Sequence, residues 1–178
     1  MQTPIVLNVI LTVIGSDRPG LTEALAAAVQ AAGGNWLESH LSRLGGKYVG
    51  SVLVALPDDA LETLRNHVAA VDAVGLNVNI VAASADAPPS GTPLELSLVG
   101  QDRPGIVREV SAALARLGVN IEALETGIEG SAWSGSPLFR ADAQLLVPQG
   151  VSAADVQSAL EAVSGDMMVD FKVSAPAT

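Results

Sequence analysis

The sequence predicts an α+β chain built from two tandem copies of a βαββαβ unit, and three observations carry that expectation. The hexapeptide Gly15-Ser16-Asp17-Arg18-Pro19-Gly20 returns as Gly100-Gln101-Asp102-Arg103-Pro104-Gly105, 85 residues later and with one substitution. A self-match at a fixed offset marks a duplicated structural unit. Each copy also follows an alternating apolar run and opens an Ala-rich stretch of helical period. The 178 residues then divide into a first domain at 1–83, a linker at 84–93 and a second domain at 94–178.

In the first strand Val9, Leu11 and Val13 alternate, and Leu94, Leu96 and Leu98 repeat them in the second copy. A period of two marks a strand with one buried face. After each Pro-Gly comes a helical stripe, Leu21, Leu25, Val29, Ala32 and then Ile106, Val110, Leu114, Leu117. Pro19 and Pro104 suit the first turn of a helix, where a missing N–H costs nothing. Gly33-Gly34 and Gly118 suit the C-terminal caps. Asn35 and Asn120 then lead into the second strands, and Gly45-Gly46 signals a hairpin between Leu37–Leu44 and Lys47–Leu56. A further helix carries Leu61, Leu64, Val68 and Val71, matched by Ala153, Val156, Leu160 and Val163. Closing strands fall near Leu76–Val81 and Met168–Val173. This order twice over is the split-βαβ, ferredoxin-like plan.

The copies differ between Asn120 and Pro148, where about six extra residues map to a loop at Gly127–Pro137 containing Trp133. Trp133 is expected to fold over a ligand site or partner, or onto its own sheet. The linker's Ala-Pro-Pro-Ser-Gly-Thr-Pro run is semi-stiff and carries no apolar period.

Nine basic residues against nineteen acidic ones give a net charge of −10, which disfavours direct nucleic-acid binding. Zero cysteines exclude disulfides, thiolate metal sites and cysteine nucleophiles. The longest apolar run, near Ile5–Ile14, is too short to span a membrane, and the start shows no signal-peptide pattern. A cytoplasmic protein is the simpler expectation. No nucleophile elbow, P-loop or dinucleotide fingerprint occurs, so no enzyme activity, cofactor or metal is expected. His40 and His67 are read as lacking partners at metal-ligand spacing.

A strand ending in Gly-x-Asp-Arg-Pro-Gly, then an apolar helix, then Gly-x-Asn and a strand, resembles the ACT domain. Two such domains resemble the glycine cleavage system transcriptional repressor family, a likeness strengthened by Gly118-Val119-Asn120-Ile121-Glu122 and Gly135-Ser136-Pro137-Leu138-Phe139. The resemblance implies a sensor of small amino acids, glycine foremost. It also implies action through contact with a transcriptional activator. The runner-up is a stand-alone regulatory subunit of an amino-acid metabolic enzyme, and a third reading is an interaction scaffold that binds no ligand. A homodimer, or pairing of the two halves, is expected to cover the open sheet edges.

The candidate ligand residues are Asp17, Arg18, Gly20 and Asn35 in the first copy, and Asp102, Arg103, Gly105, Ile106 and Asn120 in the second. A helix N-terminus suits a ligand carboxylate. A glycine there lets the ligand approach the backbone, and the aspartate and asparagine would take its ammonium. Each residue also has a plainer reading. The aspartates suit helix caps, the asparagines suit turns after a glycine cap, and the arginines suit solvated turns. The second copy is the favoured site, with Asp102 and Asn120 together on the ammonium and amides near Gly105 on the carboxylate.

Overall fold

The computed structural model describes residues 6–73, 75–84, 90–130, 137–163 and 168–172. The chain separates into two compact units, Met1–Asp86 and Ala87–Thr178. In the first, β1 (Val6–Ser16), α1 (Leu21–Ala31), β2 (Asn35–Leu44), β3 (Lys47–Pro57), α2 (Leu61–Ala73) and β4 (Leu76–Ala82) follow one another. The second runs β5 (Thr92–Gln101), α3 (Ile106–Arg116), β6 (Asn120–Glu129), β7 (Leu138–Val147), α4 (Ala153–Glu161) and β8 (Met168–Lys172). The sheet orders are β2-β3-β1-β4 and β6-β7-β5-β8, with every neighbouring pair antiparallel. Both units are therefore ferredoxin-like βαββαβ folds.

Burial follows the apolar periods. Val9, Leu11 and Val13 face the helices, where Leu21, Leu25, Val29, Leu64 and Val68 close the first core. Leu94, Leu96 and Leu98 do the same against Ile106, Val110, Leu114, Val156 and Leu160. Residues between them on β1, such as Thr12 and Ile14, lie exposed on the face that carries no helix.

Glycines end the helices as the sequence suggests. Gly33 has φ 70° and donates to the Gln30 carbonyl, while Gly34 donates to Val29. Gly118, also at φ 70°, donates to Ala115, and Val119 donates to Leu114. This pair of bonds is the Schellman arrangement, which satisfies carbonyls left over at the helix end.

The start of each helix differs from expectation. Gly20 and Gly105, not the aspartates, are the N-cap residues, and neither helix α1 nor α3 has a side-chain cap bond. Their φ and ψ, 92°/−5° and 91°/−3°, are those of the third residue of a type II turn. Pro19 and Pro104 occupy the second position of that turn, just before the helix and not within it.

The insertion is also placed later than its sequence suggested. Gly127, Ile128 and Glu129 remain in β6, so the connection to β7 starts at Gly130. Trp133 lies outside the described residues. At the other boundary, Thr92 and Pro93 belong to β5 and not to the linker, whose residues 85–89 also lie outside those described.

Candidate functional site

The strand-to-helix turn of the second domain borders a cleft of about 530 Å³, lined by Asp102, Arg103, Gly105, Ile106, Val107, Thr126, Gly127, Ile128 and Phe139. Each wall has a simple origin. β5 ends at Gln101, the type II turn reverses the chain, and α3 returns along the sheet with Val107 in its first turn. β6 and β7 supply the far wall through Ile128, which pairs with Phe139.

The turn fixes its own backbone. The Asp102 amide donates to the Pro137 carbonyl at 3.0 Å, and the Ile106 amide donates to Arg103 at 3.3 Å. Ile106 is thus spent on the turn and offers the cleft only its side chain. Glu109 makes the first helical bond, to the Gly105 carbonyl at 3.0 Å. The amides of Val107 and Arg108 therefore have no acceptor within the helix.

Arg103 is committed elsewhere. Its guanidinium forms a two-pronged ion pair with Glu109, with Nη1 donating to Oε1 at 2.9 Å and Nη2 to Oε2. This hydrogen bond holds the Glu109 carboxyl below the usual carboxylate range and raises Arg103 further above its own. A bidentate partner of this kind leaves Arg103 poorly placed to clamp a ligand. Asp102 is left as the unneutralised charge of the cleft, since among the described residues no side chain pairs with its carboxylate.

The first domain resolves the same turn differently. Asp17 Oδ2 accepts from Arg43 Nε at 2.9 Å. Thr22 Oγ1 and Tyr48 Oη lie 2.7 Å apart in a hydrogen bond. Arg18 pairs with no carboxylate among the described residues, because Ala24 stands where the second domain has Glu109.

Asn35 and Asn120 do not join these turns within a domain. Gln101 pairs with Leu138 at one end of β7, whereas Asn120 pairs with Leu146 eight positions further on. At about 3.4 Å per residue that is roughly 27 Å along the strand. The helix returns the chain to the opposite end of the sheet, so Asp102 and Asn120 cannot share one ammonium inside the second domain. Asn120 Nδ2 instead donates to Glu122 Oε1, beside a register shift between Ile121 and Ala123. Asn35 likewise pairs with Ala55, far from Asp17.

Sequence reasoning also missed a neighbour of His40. Glu38 lies two residues earlier on the same face of β2 and its Oε1 is 3.0 Å from His40 Nε2. The strand's period of two could have shown this. Among the described residues no three His, Asp or Glu side chains gather to hold a metal, and no helix is long and apolar enough to cross a membrane.

Comparison with known proteins bears on this architecture directly. The ACT-domain family matches residues 8–79 and again residues 95–145. The phosphoserine phosphatase SerB2 of Mycobacterium tuberculosis is 32% identical over 176 residues, 96% of this chain but 41% of that protein. A solved protein of unknown function from Galdieria sulphuraria superposes with a TM-score of 0.84 at 27% identity, covering 96% of this chain and 100% of the other. A proposed glycine cleavage system transcriptional repressor shares the fold at a TM-score of 0.70 and 15% identity, covering 96% and 99%. Two family matches on two βαββαβ units, with the repeated turn in each, place this chain in the ACT-domain family.

Proposed function

We propose that the chain is a non-enzymatic, cytoplasmic, amino-acid-responsive regulator. The observation that carries this reading is the cleft beside the second turn, lined by the first turn of α3 and by Asp102, whose carboxylate has no side-chain partner among the described residues. A zwitterion presents a carboxylate to the first and an ammonium to the second. By family resemblance the ligand is a small amino acid, with glycine the first to try. The output is control of glycine cleavage gene expression through contact with a transcriptional activator. The net charge of −10 suits protein contact better than binding to a polyanion.

A second reading has its own support. The chain spans 41% of the length of SerB2 and is 32% identical to that part, so the pair of ACT domains also fits the regulatory portion of an amino-acid enzyme. Co-purification from the native host separates the two. Recovery of a transcription factor supports the first reading, and recovery of a biosynthetic enzyme supports the second. Recovery of neither, with no amino-acid binding, leaves an interaction scaffold.

A further inference from the structure

We infer that the two turns are not equivalent sites, and that the second selects an amino acid with an apolar side chain over glycine. The inference rests on the sensor reading above and narrows its ligand class. It stands on three exchanges at matching positions of the repeat.

The first exchange removes a charge. Arg43 pairs across the hairpin with Tyr48, and Ile128 holds the same register position opposite Phe139. In the first domain the guanidinium of Arg43 sits on the Asp17 carboxylate, where a ligand's ammonium would otherwise go. The first turn therefore carries its own cation. The second has an isoleucine at this place, 58% exposed, and Asp102 is left open to a cation from outside.

The other two exchanges remove polar groups. Thr22 and Tyr48, hydrogen-bonded to each other, become Val107 and Phe139 in the second domain. Both line the cleft together with Ile106 and Ile128. Val107 is 42% exposed, which is unusual for valine at the start of a helix whose other apolar residues are mostly buried. Arg103, held by Glu109, and Thr126 also line the cleft. Its exposed apolar surface is Val107 and Ile128 over the buried Ile106 and Phe139, and with the Asp102 carboxylate this matches a ligand with one ammonium and an apolar body. Glycine satisfies the charge and leaves Val107 and Ile128 wet, whereas each added methylene removes apolar surface from water.

Calorimetry of the intact chain with glycine, L-alanine and L-valine tests this, with thermal melts run in parallel. The expected result is one ligand per chain and valine at least about tenfold tighter than glycine, the low end for a methylene in an apolar pocket. Ile128→Ser should shrink the preference for valine while glycine still binds. Ile128→Arg should weaken every amino acid about tenfold or more by installing the first domain's own cation. Melts near wild type show that the variants are folded. Glycine binding as tightly as valine, or two equal sites per chain, overturns this inference and leaves the sensor reading intact. Absence of heat with any of the three up to millimolar concentration overturns both.

Discussion

Arg43 Nε lies 2.9 Å from Asp17 Oδ2, and the residue at Arg43's register position in the second domain is Ile128. The aspartate of one duplicated turn is therefore ion-paired, and that of the other has no side-chain partner among the described residues. The two aspartates should respond differently to the same substitution. Asp102→Ala removes a charge-assisted contact to ligand ammonium, expected to cost about 1.5–3 kcal/mol of binding, or roughly ten- to a hundredfold. Its melting curve should hardly move, because Asp102 makes no cap bond to α3. Asp17→Ala should leave binding intact and lower stability by about 1 kcal/mol or less, the usual worth of an exposed pair. Paired calorimetry and melts of the two variants decide the matter.

The Arg103–Glu109 pair predicts a pH dependence with a definite sign. Hydrogen bonding to Arg103 lowers the Glu109 carboxyl in the folded state, so folding releases its proton more readily than the unfolded chain does. Its stabilising contribution is present in full above the ordinary carboxylate range of about 4.3. It fades as pH falls through the lower, folded-state value. Asp155 behaves alike, lowered by hydrogen bonds from the Ser152 hydroxyl and amide in a capping box at α4. Glu109→Gln should therefore be less stable than wild type near neutral pH, with the difference closing on acidification below about 4. Chemical denaturation across pH 3 to about 7 reads this directly, and a difference that widens toward acid would contradict it.

Gly50 should be the least replaceable glycine of the first sheet. It sits in β3 at φ 151°, and an added Cβ would lie 1.9 Å from the His40 carbonyl oxygen on the neighbouring strand. Relief would require β2 and β3 to part. Gly50→Ala is expected to lower stability by more than about 2 kcal/mol, combining backbone strain with a clash. Gly45→Ala, at φ 57° in the hairpin with open space around it, should cost only about 1–2 kcal/mol. Equal melting temperatures for the two variants would refute the argument.

Local patterns made most of the fold legible. Val9, Leu11 and Val13 declare a strand by their period, and Leu21, Leu25 and Val29 declare a helix by theirs, since burial acts on each element separately. The site was legible only where it is local. The repeated turn announces the cleft, but the Asp17–Arg43 pair joins residues 26 positions apart, through a hairpin register that no short window contains. Gly105 takes the cap from Asp102 because the preceding proline fixes a type II turn, and its third position needs positive φ. Asn120 looked like a site residue because it recurs at the same offset as Asp102. Offset alone is silent about which end of the sheet a residue occupies. An 11-residue helix carries the chain about 16 Å back along the sheet, which separates the two.

Regulation through a protein partner predicts that the purified chain leaves DNA alone. The net charge is −10, so long-range attraction to phosphate is absent. Four of the nine cations are also spent. Arg43, Arg65, Arg103 and Arg140 each lie within 4 Å of a carboxylate in the same chain. Of the other five, Arg18 stands on the β1–α1 turn and Lys47 at the start of β3 in one unit, and Arg108 and Arg116 stand on helix α3 and Lys172 at the end of β8 in the other. Specific binding at physiological salt draws on several simultaneous phosphate contacts, each releasing counterions. Gel shifts with the purified chain at about 150 mM salt should therefore show no retarded band, with or without amino acid. Retardation should appear only once the activator itself is added, as a change in the activator's own complex. A salt-resistant shift by the chain alone would place its output on DNA and remove the case for a protein intermediary.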